Sequence, residues 1–277
     1  MFYLIDPNQQ DWKDYTLIVP AVSVGNVGQL TTDLIISSME MTRMGYSHDD
    51  SILPMVGNDP FSRLDSESCQ LVTSCEIYKS SKDKIIIIQQ RAPFVKGKRR
   101  SFRRKLVEWI KKCGFDQVVI LTSSYAHERV DKQLSGSQQR YLASPKMTDR
   151  LDNLVREKLQ WKCLEKRIAF PAPSSIDQAD TRGQESVYIP GGGIAKALFE
   201  DCYNDVAVLL VLTFCAEGDN APDAVQLANY INQYLQVLPQ EEPSASETSE
   251  GQRSPMWKIP SSWRLTFGNQ ADPMLFH

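Results

Sequence analysis

Residues 15–44 read YTLIVPAVSVGNVGQLTTDLIISSMEMTRM, and the fold predicted for the whole chain follows from this stretch. It predicts a short apolar strand over residues 16–19, a turn, a glycine-containing loop and a helix with apolar positions from Leu30 to Met39. Gly45 stands where a glycine commonly ends a helix. A strand, a glycine loop and a helix in this order are typical of the first unit of an open α/β sheet.

The glycine loop has the spacing G-x-x-G, formed by Gly25 and Gly28, and this spacing argues against a phosphate site. A dinucleotide fingerprint needs one more glycine, and a P-loop needs a lysine followed by serine or threonine. The simpler interpretation is that these glycines let the helix begin close to the strand. An α/β enzyme that binds a nucleoside or phosphate ligand at this loop is kept as the alternative hypothesis.

Composition describes an ordinary soluble globular chain: 277 residues, 42% hydrophobic, 23% charged, with a net charge of -3 and a pI of about 5.7. The slight negative charge argues against a dedicated nucleic-acid binder. Residues 1–10 contain no lysine or arginine, and no apolar run approaches about 20 residues, so we expect neither a secretory leader nor a membrane span. We therefore expect a soluble intracellular protein.

Cysteines and histidines are too few and too scattered to predict a metal site. None of the 6 cysteines forms C-x-x-C, and there are 3 histidines in all. In a reducing compartment the cysteines are expected to be buried apolar thiols. We expect neither a metal nor another cofactor.

Strand and helix patterns alternate over most of the chain. Strands are predicted at residues 52–56, 84–90, 117–122 and 206–214, with a further candidate at 71–78. Helices are predicted at residues 94–113, 145–161, 194–199 and 220–238. Together these patterns predict the α/β class: residues 1–239 form a single three-layer domain with a mostly parallel central sheet flanked by helices.

The last part of the sequence changes character three times. Residues 240–255 are acidic, rich in serine and nearly free of apolar residues, which predicts a disordered loop. Residues 256–268 are apolar again and are expected to pack back onto the domain. Residues 269–277 form a C-terminal tail that ends with Leu275, Phe276 and His277.

The residue pattern offers little for catalysis. His127 follows a predicted strand and lies near Ser123, Ser124 and Asp131, where α/β enzymes place catalytic groups, but no serine sits in a G-x-S-x-G elbow. The simpler interpretation is a histidine on a loop, half in water. We therefore expect no catalytic residues.

A basic cluster is the most conspicuous charged feature of the sequence. It can be the solvated face of an amphipathic helix, a dock for an acidic protein surface, a nuclear import patch or a nucleic-acid contact. The solvated face is favoured, with the protein dock next, because no aromatic residues are interleaved on the polar side for stacking on bases. Its members are Lys96, Lys98, Arg99, Arg100, Arg103, Arg104, Lys105, Lys111 and Lys112.

Several unusual strings of residues resemble the proteasome assembly chaperone family, in the same order and over almost the whole chain. They are VPAVSVGNVGQLTTDLIISSM at residues 19–39, LPMVGN at 53–58, IPGGGI at 189–194, EGDN at 217–220 and WKIPSSWRL at 257–265. No generic α/β protein needs all of these strings, so the resemblance is specific.

The resemblance implies a non-enzymatic chaperone of the cytoplasm and nucleus. The chain would pair as a heterodimer with proteasome assembly chaperone 1 and bind α subunits of the 20S proteasome. The pair would promote α-ring assembly and prevent off-pathway α-ring dimers. Nucleic acid, membrane and cofactor would play no part.

The resemblance also suggests which residues would meet partners. Turns at Gly25, Gly28, Gly191, Gly192 and Gly193 would shape contact surfaces. Two alternatives stay open for Val22, Val24 and Val27: they contact a partner, or they pack under the loop.

In this family a C-terminal hydrophobic–tyrosine–any motif can enter a pocket between neighbouring α subunits. The tail Leu275, Phe276 and His277 matches this motif at its first position and has Phe in place of Tyr at the second. Burial of the phenyl ring would contribute about 1.5–3 kcal/mol. The missing hydroxyl would forfeit a hydrogen bond worth about 0.5–1.5 kcal/mol.

Overall fold

Four strands that run parallel to one another form the centre of one large sheet. This arrangement is seen in a computed structural model that describes residues 1–6, 11–62, 70–168, 185–239 and 257–265. The twelve strands of this part of the chain are β1 (Phe2–Leu4), β2 (Thr16–Pro20), β3 (Thr42–Ser47), β4 (Val56–Asn58), β5 (Leu71–Thr73), β6 (Cys75–Ser80), β7 (Ile85–Gln90), β8 (Gln117–Tyr125), β9 (Gln139–Ala143), β10 (Arg167–Ile168), β11 (Glu185–Ser186) and β12 (Val208–Cys215).

The main sheet has eight strands in the order β1-β3-β6-β7-β2-β8-β12-β9. Strands β7, β2, β8 and β12 are parallel to their neighbours in this group, and the pairs β1–β3, β3–β6, β6–β7 and β12–β9 are antiparallel. The β-branched run of Ile85–Gln90 is buried throughout, as a central strand covered on both faces requires. The predicted α/β class is thus confirmed, and the parallel character belongs to the centre of a mixed sheet.

Helices cover both faces of this sheet and make three layers. Their bounds are α1 (Val27–Ser38), α2 (Arg99–Cys113), α3 (Asp131–Leu134), α4 (Pro145–Leu151), α5 (Ala195–Cys202) and α6 (Ala221–Leu235), with a π-helical turn at Asp152–Lys158. One core cluster packs α2 and α5 against the sheet, and the other packs α1, α4 and α6 against the opposite face. Adjacent residues of β2 alternate between them: Leu17 lies in the first cluster and Ile18 in the second.

The predicted end of helix α1 was wrong. The helix ends at Ser38, and Glu40 takes the left-handed backbone conformation with φ 48°. Gly45 lies instead in β3, opposite Leu4 of the edge strand β1, where an added Cβ would come within 2.5 Å of the carbonyl oxygen of Tyr3. Glycine at this position allows two strands to approach each other, and it does not cap a helix.

The chain between α1 and β7 also differs from the prediction. Of the strand expected at residues 52–56, Ile52 forms only an isolated bridge with Phe94, and only Val56 belongs to a strand, as the first residue of β4. Strand β3 at Thr42–Ser47 was missed. The candidate at 71–78 is split between β5 and β6. Strand β3 has the sequence TRMGYS, whose mixed polar pattern does not alternate in the way that marks a half-buried strand.

A segment distant in sequence, residues 257–265, lies against α1 and α6. Trp257 is 8% exposed, and its indole N–H donates to Asn229 Oδ1 at 2.7 Å. The Lys258 N–H donates to Ser38 Oγ at 2.9 Å, beside the end of α1. The predicted disordered loop 240–255 and tail 269–277 lie outside the described residues.

Cysteine burial varies along the chain. Cys75, Cys202 and Cys215 are buried free thiols, whereas Cys163 is exposed, contrary to the expectation that all would be buried. Within the described ranges, no helix is long and apolar enough to cross a membrane, and no group of His, Cys, Asp and Glu side chains could hold a metal.

Candidate functional site

The carboxyl ends of the parallel strands β2, β8 and β12 meet two loops, residues 21–26 and 187–193. In open α/β sheets this is the edge where ligands and partners usually lie. We call the two loops together with the strand ends that they touch the loop junction. The N–H of Val24 in the first loop donates to the carbonyl oxygen of Gly191 in the second at 3.0 Å.

The first loop is tight because its glycines lie against other parts of the chain. Gly25 has φ 64°, and a Cβ added there would lie 2.4 Å from Oδ1 of Asn220 at the start of α6. At Gly28 an added Cβ would lie 2.6 Å from the carbonyl oxygen of Leu121 in β8. At both glycines the position of a side chain is therefore occupied by atoms of the protein itself, so these glycines serve close packing within the chain.

The second loop packs in the same way. A Cβ added at Gly193, which has φ 63°, would lie 2.2 Å from the carbonyl oxygen of Val22. Gly191 has φ 76° and lies over the ring of Tyr125, which an added Cβ would approach to 2.8 Å. At Gly192 the nearest atom to an added Cβ would be Cγ2 of Ile189, at 2.4 Å. Four of the five glycines predicted to make turns thus lie in the loop junction, whereas Gly28 lies in the first turn of helix α1, against the end of β8.

Hydroxyl groups at the end of β8 hold both loops in place. The Ser123 N–H donates to Ser23 Oγ at 3.2 Å, and the two hydroxyl oxygens are 2.8 Å apart. Thr122 Oγ1 donates to the carbonyl oxygen of Gly192 at 3.1 Å, and Ser124 Oγ donates to that of Pro190 at 2.9 Å. These buried hydroxyls are engaged with main chain, so they stabilise loop geometry.

Cys215 ends β12 beneath the first loop and is also part of the loop junction. Its thiol lies 3.7 Å from the carbonyl oxygen of Val24. Burial, reinforced by the negative charge of Asp223, raises the pKa of this thiol to about 11. A thiol with so high a pKa is protonated at neutral pH and is a poor nucleophile.

The two valines of the first loop, Val22 and Val24, and Val27 at the start of α1 differ in exposure. Val27 is fully buried and Val24 is 7% exposed, and both belong to the core cluster on the α1 side of the sheet. Val22 alone is partly exposed. Of the two interpretations left open by the sequence, packing under the loop describes Val24 and Val27, while Val22 has surface left to offer a partner.

His127 and its neighbours do not form a nucleophile–base arrangement. His127 is exposed after β8, with its ring centroid 5.1 Å from that of Tyr125. The buried hydroxyls of Ser123 and Ser124 donate instead to main-chain carbonyl oxygens, those of Val24 and Pro190. The predicted tail residues Leu275, Phe276 and His277 lie outside the described residues.

An apolar surface at the β1 edge of the sheet was missed by the sequence analysis. Tyr3 is 54% exposed, Ile5 63% and Tyr46 46%. The rings of Tyr3 and Tyr46 are stacked across the β1–β3 pair with centroids 6.2 Å apart. We call these three residues the edge patch. The alternation in Phe2–Leu4, with Phe2 against Trp109 in the core and Tyr3 outward, is the signal that could have revealed it.

Comparison with known proteins identifies a family and several named relatives to which this chain is similar. The sequence profile described as the PAC2 family matches residues 17–237. A protein of Danio rerio named Proteasome assembly chaperone 2 is 42% identical over 266 residues, which cover 96% of this chain and 96% of that protein. Its namesake in Homo sapiens is 39% identical over 279 residues, with 100% of both chains covered.

A solved structure shares the fold at much lower sequence identity. Pyrococcus furiosus PbaA, described as an archaeal homolog of proteasome-assembly chaperone, superposes with a TM-score of 0.59 at 15% identity, covering 85% of this chain and 86% of that one. Since the profile spans most of the chain and the two vertebrate relatives match it along almost their full length, the chain belongs to the PAC2 family, among the relatives named Proteasome assembly chaperone 2.

Proposed function

We propose that this protein is a non-enzymatic chaperone of proteasome assembly. It acts as a heterodimer with proteasome assembly chaperone 1 and binds α subunits of the 20S proteasome. The pair promotes formation of the α ring and prevents off-pathway α-ring dimers, in the cytoplasm and the nucleus. The observation that carries this proposal is the near full-length similarity to relatives named Proteasome assembly chaperone 2.

The edge patch supports a role that depends on a protein partner. Among the described residues, strand β1 lies at the end of the sheet and pairs on one side only, with β3. An unpaired strand edge next to exposed Tyr3, Ile5 and Tyr46 favours association, because both main-chain hydrogen bonds and apolar burial are available there. In the proposed heterodimer, the partner chaperone covers this surface.

The loop junction supports the same interpretation. Its glycines bring loops 21–26 and 187–193 together by direct contact, and its hydroxyls bond to main chain. A rigid pair of loops at the carboxyl end of a sheet is suited to present a shaped surface, to which the first loop contributes partly exposed Val22 and the second loop contributes Tyr188, which is 42% exposed. The α subunits are the proposed partner at this end of the molecule.

The C-terminal residues Leu275, Phe276 and His277 are proposed to enter a pocket between α subunits. Deletion of these three residues is expected to weaken binding to an α ring and to leave the heterodimer intact. The affinity of the heterodimer for purified α rings measures the effect. An unchanged affinity would reject the role of these residues.

Affinity purification from cell lysate tests the proposed function as a whole. The tagged full-length chain should recover one second chaperone in a 1:1 ratio together with proteasome α subunits, read by mass spectrometry. Recovery of neither would overturn the proposal. In that case calorimetric titration with nucleotides would test the alternative at Gly25 and Gly28, for which we expect no saturable heat.

A pair of substitutions tests the edge patch. Tyr3→Ser with Ile5→Ser should weaken the heterodimer and make the isolated chain less prone to associate with itself. The matched control is Leu134→Ser with Ile259→Ser, because these side chains are also 59% and 61% exposed but lie elsewhere. Equal heterodimer affinity for both double variants would show that β1 is not the partner's surface.

A further inference from the structure

Ion pairs are distributed unevenly along helix α2. On its flanks, Arg103 Nε lies 2.6 Å from Asp201 Oδ2, Lys105 Nζ lies 2.9 Å from Asp49 Oδ2, and Lys111 pairs with Asp205. These cations are neutralised by carboxylates of the same chain. Much of the basic cluster seen in the sequence is therefore accounted for by contacts within the fold.

Three arginines at the start of the helix are not accounted for in this way. Arg99, Arg100 and Arg104 are exposed, and none has an ion-pair partner among the described residues. Arg99 and Arg100 lie in the first turn of α2, at the positive end of the helix dipole, and this turn carries no acidic residue that would offset their charge. Arg100 and Arg104 are also like charges at i and i+4. A folded chain gains no stability from this arrangement, which points to a use outside the chain.

Two of these arginines, Arg100 and Arg104, line a groove between α2 and α5. The groove has a volume of about 590 Å³ and an apolar floor at Val107. Arg100, Arg103 and Arg104 contribute guanidinium groups to its wall, and Asp201, one of its two acidic residues, is already paired with Arg103. Arginine, unlike lysine, presents a planar fork of donors that matches a carboxylate in two parallel hydrogen bonds.

We propose that this groove, together with the exposed Arg99 that begins α2, binds an acidic segment of a protein partner through its Asp and Glu side chains. Glu108 stands in the wall beside the arginines, which disfavours a continuous polyanion such as a nucleic-acid backbone and suits a protein segment with separated carboxylates. The groove lies on the face of the sheet opposite α1 and α6, whereas segment 257–265 packs against α1 and α6. The groove is therefore a surface separate from that segment.

The partner that carries the acidic segment is inferred to be an α subunit, and to that extent the inference rests on the proposed function. Basic and acidic surfaces facing each other accelerate association and make it sensitive to salt. The groove would therefore act mainly on the rate at which the chaperone captures a subunit.

Charge reversal of the three free arginines tests the inference. The full-length chain carrying Arg99→Glu, Arg100→Glu and Arg104→Glu, purified with its partner chaperone, is compared with one carrying Lys82→Glu, Lys132→Glu and Lys158→Glu. The two sets change the net charge equally, and the control lysines are exposed at other places. Association rates with immobilised α subunits are measured at low and high salt.

We expect the arginine variant to associate at least tenfold more slowly than the wild type at low salt, with a flatter dependence on salt, and the lysine variant to stay within about threefold. Heterodimer formation by both variants shows that they fold. If the wild type does not bind α subunits, the proposed function fails; if it binds and the arginine variant binds equally fast, the inference alone fails. Tight binding of duplex RNA that displaces the α subunit would also overturn it.

Discussion

Replacement of Gly193 by alanine is expected to disrupt the loop junction specifically. At φ 63° an alanine is held in the left-handed region, and its Cβ would lie 2.2 Å from the carbonyl oxygen of Val22. Since a carbon and an oxygen that are not bonded need more than 3 Å, loop 21–26 or loop 187–193 must move by about 1 Å. The hydrogen bond from Val24 N–H to Gly191 lies in the path of that movement.

The expected loss of stability in Gly193→Ala follows from comparison with a matched control, Gly97→Ala. Gly97 has φ 81° and open space around it, so Gly97→Ala carries only the energetic cost of holding alanine in the left-handed backbone conformation. This backbone cost is about 1–2 kcal/mol, and it is offset by about 0.4–1 kcal/mol because alanine restricts the conformations of the unfolded chain. We expect a net loss near 1 kcal/mol for Gly97→Ala. The clash at Gly193 adds about 1–3 kcal/mol, the usual cost of overpacking.

Urea unfolding measured by tryptophan fluorescence and far-ultraviolet circular dichroism gives the two free energies of unfolding. Gly193→Ala should lose about 2–4 kcal/mol with an unchanged slope against urea concentration. Gly28→Ala, at ordinary φ but 2.6 Å from the Leu121 carbonyl oxygen, separates clash from backbone strain. Equal stability of the Gly193 and Gly97 variants would refute the conclusion that direct contact holds the loops together.

Two further predictions concern single side chains. Trp257→Ala should lower the free energy of unfolding by about 3–5 kcal/mol because a buried indole is removed. Trp257→Phe should cost less since it keeps an aromatic ring. Chemical denaturation measures both losses, and equal losses would contradict the packing of residues 257–265 onto the domain. In a Cys69→Ser background, a maleimide probe should label exposed Cys163 well before Cys215, because burial raises the pKa of the Cys215 thiol to about 11. Mass spectrometry of timed samples follows the order of labelling. Faster labelling of Cys215 would show that the loop junction opens.

Local patterns predicted much of the fold because they reflect short-range physics. The apolar run at Ile85–Gln90 is a buried central strand, and the stripe of Arg99–Cys113 is an amphipathic helix that Gly114 ends in the left-handed conformation. Backbone sterics and burial act on these residues wherever the rest of the chain lies. The same patterns could not predict β3, since TRMGYS gains its strand conformation from pairing with β1 and β6.

Contacts between distant residues decided the candidate surfaces. Gly25 and Gly191 are 166 positions apart. Glycine is needed at Gly25 because the first loop meets Asn220 there, and at Gly191 because the second loop meets Tyr125. The spacing of Gly25 and Gly28 alone could not distinguish a loop that holds a ligand from a loop filled by its own protein. That difference is a matter of which atoms face the glycines, and only the folded chain supplies those atoms.

The sequence by itself determined the α/β class, the order of most elements and the family, because local periodicity and family-specific strings such as residues 189–194 survive without coordinates. The tertiary structure decided that Val24 and Val27 are core residues, that the edge patch is exposed, and that Arg99, Arg100 and Arg104 have no ion-pair partner in the part of the chain that the structure describes. Exposure and pairing depend on which elements cover a residue. A local pattern such as the alternation in β1 shows which side chains point away from the core, but packing between segments far apart in the chain decides whether another element covers them.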